Sequence, residues 1–125
     1  MATAFGKKFD KALLWSREQT LKPFAFRSAI KLELEGTKCD GVCEQIGKRY
    51  TIFVARRLKP HEAIGILLHE CAHLNDWVKN GYVPGHSNQH GDSWGVEYSR
   101  LYRDYFEWRD RELEATRVVG KRRTR

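Results

Sequence analysis

Apolar residues recur along the chain with two different periods, and each change of period marks a new predicted element. Phe5, Phe9 and Leu13 stand four residues apart, which predicts an amphipathic helix near the start of the chain. Pro23 disfavours helical backbone at the residue before it, so we expect the helix to end by this point. Residues 29–35 alternate apolar and charged side chains, and this period of two predicts a half-buried strand followed by a turn.

Two later segments also predict strands. Residues 50–55 are rich in β-branched and aromatic side chains, as is usual for a strand. Gly41 and Gly47 act as breakers around a shorter segment, so we expect a short strand between them. We expect these strands to form a short, mainly antiparallel sheet.

Two apolar stripes with helical spacing predict helices in the second half of the chain. Pro60 suits the first turn of a helix, and the pattern that follows it ends near Asn80, which a glycine follows. After a loop over residues 81–91, a last helix is expected to begin near Asp92. The stripes consist of Ile64, Leu67, Cys71, Leu74 and Val78, and of Trp94, Tyr98, Leu101, Tyr105 and Trp108. This order of elements predicts a small α+β domain.

Length and composition restrict the class of protein. A chain of 125 residues has the size of one domain, and 41% hydrophobic with 31% charged residues is typical of a globular protein. The longest apolar run, IGILL, is far shorter than the ~20 residues of a membrane helix, so we expect no membrane span. Three cysteines without a signal-peptide core predict a protein with reduced thiols in the cytoplasm.

The net charge of +7 is concentrated at the two ends of the chain. Residues 1–31 have seven basic and two acidic side chains and residues 117–125 have five basic ones, whereas residues 32–116 have a net charge of −3. We therefore predict one domain over residues 1–116 and a basic tail over residues 117–125. Basic side chains at these ends could bind DNA phosphates without sequence preference, although a solvated helix face and a frayed terminus explain the charge equally well. The residues concerned are Lys7, Lys8, Lys11, Lys121, Arg122, Arg123 and Arg125.

A metal-binding motif lies in the first of the two long predicted helices. His69, Glu70 and His73 form an HExxH sequence, in which the two histidines stand one helical turn apart on the same face. Both imidazoles can then bind one metal ion, and neutral imidazole suits zinc. Glu70 stands beside the first ligand, within reach of a metal-bound water as its general base. The motif therefore predicts a zinc site with a catalytic glutamate.

A catalytic zinc site takes a third protein ligand and keeps an open position for water. Asp76 is one candidate, because it lies seven residues after His69 on the same helical face. His86 and His90 are the others, because either could fold back over the helix from the following loop. Spacing alone does not separate His86 from His90, whereas Asp76 is expected rather to accept a hydrogen bond beside the site or to be solvated.

The HExxH motif, followed by HGDSW at residues 90–94, resembles the SprT-like metallopeptidases, the family that includes the DNA-dependent protease Spartan. These proteins pair HExxH with a later HGxxF or HGxxW motif that opens a helix, and the resemblance covers about residues 48–108. It implies a zincin-like peptidase fold with Glu70 as the catalytic base and Trp94 as a packing residue beside the third ligand. The zinc ligands that it implies are His69, His73 and His90.

The resemblance supports the catalytic core better than any particular substrate. Many bacterial members carry a zinc ribbon with paired CxxC motifs, which this chain lacks, and only a nine-residue basic tail stands where Spartan has DNA-binding extensions. The leading hypothesis is a zinc metallopeptidase, with proteins on DNA as candidate substrates and residues 50–55 as the strand edge that binds them. One alternative is a zinc-stabilised nucleic-acid- or protein-binding module with little turnover. Another is a hydrolase of a non-peptide bond.

Several other residues have a less specific chemistry. Cys39 and Cys43 form a CxxxC pair without a second pair, so they are expected to be ordinary thiols, and Cys71 is expected in the core. His61 lies off the motif face and is expected at the surface. Amide hydrolysis also needs a group that stabilises the oxyanion, and the sequence does not choose among the candidates. These are Tyr82, Tyr98, Arg100 and Tyr102.

Overall fold

The structure, a computed structural model, describes residues 3–82 and 90–123, with side chains as far as residue 117. It confirms the α+β class, since three helices accompany a small set of strands of which two of the three pairs are antiparallel. The elements are α1 (Lys7–Gln19), β1 (Phe24–Ala29), β2 (Glu33–Leu34), β3 (Thr37–Lys38), β4 (Gly41–Ile46), β5 (Arg49–Ala55), α2 (Pro60–Asn80) and α3 (Asp92–Arg123).

Helix α2 begins and ends where its sequence predicts. Pro60 is the first helical residue, and the carboxylate of Glu62 accepts a hydrogen bond of 3.0 Å from the backbone N–H of Lys59. This bond satisfies a backbone donor that the first turn of a helix leaves free. The helix ends at Gly81, whose φ of 94° favours glycine.

The main sheet has the strand order β1-β5-β4. Strands β1 and β5 are parallel, from Phe24 opposite Tyr50 to Ala29 opposite Ala55, and β4 pairs with β5 in the antiparallel sense. The central strand is therefore β5. The prediction that it forms an edge was wrong, because strand order depends on long-range pairing that periodicity does not report.

The predicted strand over residues 29–35 was also wrong in its position. The sheet strand β1 ends at Ala29, where the predicted one begins, and only Glu33–Leu34 of the later segment is extended and paired. Parallel pairing with β5 selects residues 24–29, in which Phe24 is buried. The charged, alternating segment after it leaves the sheet and enters a separate hairpin.

That hairpin consists of β2 and β3 and stands apart from the main sheet. Its turn residues, Glu35 and Gly36, have φ angles of 53° and 77°. Two successive positive φ values are typical of the tight turns that join antiparallel strands. A backbone hydrogen bond of 3.1 Å from Cys39 to Leu32 closes the base of the hairpin.

Helix α2 lies at the centre of the molecule, with contacts to α1, α3, β4 and β5. The residues of its apolar stripe pack in the core, where Cys71 is fully buried, as predicted. The core around it comes from each major element, with Phe9 and Leu13 of α1, Ile52 and Val54 of β5, Leu67, Leu68 and Leu74 of α2, and Leu101 and Tyr105 of α3. Because α2 packs against four other elements, its backbone is fixed, and the side chains on its solvent-facing side have defined positions.

The two basic ends belong to helices where they are described. Lys7, Lys8 and Lys11 are exposed on α1, and the backbone of residues 117–123 continues α3. Arg125 lies outside the described residues. Of the helices described here, none combines the length and apolar character needed to cross a membrane.

Candidate metal centre

Three histidines, two from α2 and one from the segment before α3, converge at the open face of α2. His69 and His73 lie one turn apart with ring centroids separated by 5.0 Å. His90 lies two residues before α3, and its Nε2 atom lies 3.0 Å from Nε2 of His69. One ligand atom from each ring lies within 4.8 Å of the others, so the three side chains are close enough to hold a metal ion.

The donor set and its spacing fit a small divalent cation. A tetrahedral zinc ion with Zn–N bonds of about 2.05 Å separates its imidazole nitrogens by about 3.3 Å. The observed separation of 3.0 Å between His69 and His90 is near that value, whereas the 4.8 Å limit for the set exceeds it by about 1.5 Å, so the side chains would have to move together to bind the ion. Three imidazoles also leave one tetrahedral position free.

The two histidines of α2 are held in the neutral form that binds metals. Burial, and then the neighbouring His90, lowers the pKa of His69 to about 4. Burial, and then the other two rings, lowers the pKa of His73 to about 3. Neutral imidazole offers a nitrogen lone pair to a cation, so no proton has to leave these two residues at neutral pH.

Glu70 places a buried carboxylate beside the three rings. Its Oε2 atom lies 3.8 Å from Nε2 of His69, and its side chain is only 7% exposed. Burial raises the pKa of Glu70 to about 8, while a hydrogen bond donated by the backbone N–H of Cys43 opposes this rise. A cation bound by the histidines would lower that pKa again, because its charge stabilises the carboxylate.

Trp94 fixes the position of the third histidine relative to α2. Its indole Nε1 donates a hydrogen bond of 3.3 Å to the backbone carbonyl of His69, and its ring lies 4.5 Å from that of His90. The indole also stacks on Tyr98, with an interplanar angle of 11°. The aromatic residue of the HGxxW motif thus packs beside His90, as the family resemblance implies.

An ion pair with a buried carboxylate joins α2 and α3 beyond the three histidines. Glu97 of α3 is 3% exposed, and its carboxylate lies 2.8 Å from the ammonium group of Lys79 on α2. Arg100 approaches the other carboxylate oxygen at 3.4 Å. The pair holds α3 against α2 one helical turn after Trp94.

Strand β4 forms one wall of the site. Gly41, Val42 and Cys43 line a cavity of about 50 Å³ together with His69, Glu70, His73 and His90, and Leu34 of the hairpin completes the lining. One edge of β4 pairs with β5, and no strand among the described residues pairs with the other. The free strand edge beside the histidines is therefore that of β4, not of residues 50–55.

Gly41 allows this wall to approach α2 closely. A Cβ atom at this position would lie 2.3 Å from Cγ2 of Ile66 and 3.1 Å from Oε2 of Glu70. Any side chain would therefore collide with the helix that carries the motif. The sequence predicts Gly41 only as a strand breaker, because residue spacing contains no signal of this contact.

The other candidate ligands do not join the three histidines. Asp76 is outside the set, and its carboxylate instead accepts a hydrogen bond of 2.8 Å from the side-chain amide of Asn80. His86 lies outside the described residues. His61 is exposed, as predicted.

The candidates for oxyanion stabilisation differ in their distance from the site. The ring of Tyr98 lies 5.8 Å from that of His69, whereas Tyr82 packs on Trp77. Arg100 pairs with Glu97, and Tyr102 is 46% exposed on α3. Tyr98 is thus the candidate that packs against a metal-centre histidine.

Comparison of the chain with models of protein families, with curated proteins and with solved structures gives no match.

Proposed function

We propose that this protein is a zinc-dependent metallopeptidase that hydrolyses peptide bonds. The observation that carries the proposal is the convergence of three histidines and one buried carboxylate in a single cavity beside a free strand edge. In this proposal His69, His73 and His90 hold the zinc and Glu70 is the general base. The central motif helix beside an antiparallel strand supports a zincin-like fold.

Zinc is the metal that this donor set favours. Neutral imidazole is a common zinc ligand, and three protein ligands with one open position are typical of catalytic zinc sites. When bound, zinc lowers the pKa of a water molecule to ~7 and polarises a carbonyl oxygen.

Glu70 supplies the proton transfers. Its carboxylate accepts the proton of the attacking water and then delivers it to the nitrogen of the leaving amine. The N–H of Cys43 holds the carboxylate in place during both steps. A purely structural metal site has no need of a buried carboxylate beside its ligands, so Glu70 favours catalysis over a structural role.

The free edge of β4 is the proposed binding surface for the substrate. An extended peptide can add to a strand edge through main-chain hydrogen bonds, which recognise any sequence. Gly41 and Val42 of this strand line the cavity that contains Glu70. A peptide paired with β4 would therefore pass directly over the metal centre.

The test is the pair of variants Glu70→Gln and Glu44→Gln. Glutamine at position 70 preserves shape but accepts no proton, so we expect zinc to be retained and cleavage of an unstructured protein to fall by about 10²- to 10⁴-fold. Glu44 is exposed on the same strand β4, and its replacement is expected to change neither quantity. Zinc-loaded Glu70→Gln protein that still cleaves at the wild-type rate would refute the proposal.

A second candidate function is a zinc-stabilised binding module with little turnover. The cavity of about 50 Å³ favours it, because this volume admits an ion and a small number of waters but no peptide. This candidate predicts that zinc raises the melting temperature while purified protein with one bound zinc cleaves no unstructured substrate. Cleavage that depends on Glu70 excludes it.

DNA-bound proteins are the proposed natural substrates, on the basis of the exposed lysines of α1. Lys7, Lys8 and Lys11 lie close together in the sequence at the start of one helix, where they could contact successive phosphates. Reversal of all three charges to glutamate is expected to weaken DNA binding and to reduce its salt dependence. Reversal of Lys22, Lys31 and Lys48, three exposed lysines outside α1, is the control with the same change of net charge. Equal DNA binding by both variants would remove this part of the proposal.

A further inference from the structure

The hairpin β2–β3 lies over the metal centre. Leu34 is the one residue of the hairpin strands that lines the cavity of the three histidines and Glu70. It is also the one residue from Glu33 to Lys38 that is half-buried, while its five neighbours in the hairpin are exposed. The side chain of Leu34 thus turns inward at the site.

Leu34 narrows the cavity beside the histidines and Glu70. The cavity that it helps to enclose measures about 50 Å³, and the other walls come from β4, α2 and His90. Strand β4 is held by its pairing with β5, and α2 is packed on several sides. The hairpin is therefore the wall that can move most easily.

The hairpin is held weakly. Among the described elements its contacts are mainly between its own two strands, which share only two residue pairs. One of its turn residues, Glu35, has a positive φ of 53°, which costs a non-glycine residue free energy. A short element with few buried contacts opens at a low free-energy cost.

We propose that the β2–β3 hairpin is a lid over the metal centre and that Leu34 is the side chain that a substrate must displace. In the closed form Leu34 covers the part of the site that contains the buried Glu70 and His73, whereas His90 stays exposed. In the open form the cavity becomes continuous with the free edge of β4. The movement itself is independent of any reaction, and only its role in substrate entry rests on the proposed peptidase function.

Cys43 offers a direct measure of lid opening. Its side chain is 5% exposed and lines the same cavity, so a small alkylating reagent reaches it only when the cavity opens. Cys71 is fully buried in the core and reacts only after global unfolding. With Cys39 replaced by serine, the ratio of the Cys43 and Cys71 alkylation rates in metal-free protein isolates the movement of the hairpin.

Two glycines provide a matched pair of variants. Gly36 in the hairpin turn and Gly47 in the β4–β5 turn have φ angles of 77° and 60°, and a Cβ atom at either position meets nothing within 4 Å. Alanine therefore introduces the same kind of backbone strain at both positions, but only Gly36→Ala strains the lid. We expect Gly36→Ala to raise the rate ratio by roughly fivefold or more and Gly47→Ala to leave it unchanged. Leu34→Ala, which enlarges the opening, is expected to raise it as well.

Equal ratios of the Cys43 and Cys71 alkylation rates in Gly36→Ala, Gly47→Ala and the parent protein would refute the proposal that the hairpin is a lid. Cleavage of a short peptide by the zinc-loaded variants separates this proposal from the peptidase function. If Gly36→Ala raises the alkylation ratio while none of the proteins cleaves the peptide, the lid stands and the proposed function fails. If the hairpin is a lid and the protein is also a peptidase, Gly36→Ala should increase the rate of peptide cleavage.

Discussion

The Nε2 atoms of His69 and His90 lie 3.0 Å apart although 21 positions separate the two residues in the sequence. His69 is held by the motif helix, and His90 is held where the chain enters α3. Two imidazole nitrogens approach in this way when both can share a proton or a cation. The contact brings α2 and the start of α3 together in one site.

Replacement of His90 by alanine tests whether this contact is part of a metal centre. Loss of a residue that supports a metal ligand usually weakens metal binding by about 10- to 100-fold. Loss of one of the three ligands themselves is expected to weaken zinc binding by roughly 100-fold or more. Competition with a chelating dye measures the affinity. His61→Ala, at an exposed position of the same helix as His69, is the control and should bind zinc like the parent protein.

His86→Ala is the informative comparison for the same experiment. If His90 is the third ligand, the His86 variant keeps full zinc affinity. Loss of zinc in His86→Ala with retention in His90→Ala would show that the third ligand was assigned to the wrong histidine.

Gly41→Ala is expected to destabilise the protein by about 1–3 kcal/mol, because its Cβ atom would lie 2.3 Å from Cγ2 of Ile66. The strand or the helix must shift to relieve this overlap, so zinc affinity should fall as well. Gly65→Ala is the matched control, since Gly65 adjoins Ile66 within α2 but has open space around its Cβ position. Alanine there should stabilise the helix by about 0.5–1 kcal/mol. Urea unfolding of the two variants should therefore give changes of opposite sign.

Trp94→Phe separates the packing role of the indole from its hydrogen bond. A phenyl ring preserves the stacking on Tyr98 but donates nothing to the carbonyl of His69, so we expect a loss of about 1 kcal/mol in stability. Zinc affinity should stay within about tenfold of the parent value, whereas Trp94→Ala should lower it further. Equal zinc affinities for the alanine variant and the parent would contradict a role for Trp94 in positioning His90.

The metal-free protein should be most stable near pH 6.5. The folded pKa values of His69 and His73, about 4 and about 3, lie below their ordinary value of 6.5. Below pH 6.5 the unfolded chain therefore binds more protons than the folded protein, so the free energy of unfolding falls as the pH is lowered. The folded pKa of Glu70, about 8, lies above its ordinary value of 4.5, so the folded form binds the extra proton and stability falls as pH rises from 6.5 to 8.

Glu70→Gln should change this profile in a defined way, because glutamine does not titrate. Stability of the metal-free variant should no longer decrease between pH 6.5 and 8. Between pH 4.5 and 6.5 the free energy of unfolding should rise with pH more steeply in the variant than in the parent. The expected slopes correspond to about two protons against about one, or ~2.7 against ~1.4 kcal/mol per pH unit. Urea unfolding with a chelator present measures both ranges. Parallel profiles for the variant and the parent would show that Glu70 is not the group responsible.

Local patterns in the sequence were sufficient for the motif helix. Its bounds, its buried stripe and the common face of His69 and His73 follow from the helical period and from Pro60 and Gly81, all of which act within a few residues. The start of α3 at Asp92 followed in the same way. Helical hydrogen bonds join residues four apart, so the information that determines a helix lies in its own segment.

Tertiary structure decided which residues meet. Spacing in the sequence did not separate His90 from His86, and tertiary packing, in which Trp94 contacts both His90 and α2, brings His90 to the other two rings. The central position of β5, the free edge of β4 and the position of Leu34 over the cavity were likewise absent from the pattern. Each depends on pairing or packing between distant segments, and such contacts are selected by the energy of the whole fold.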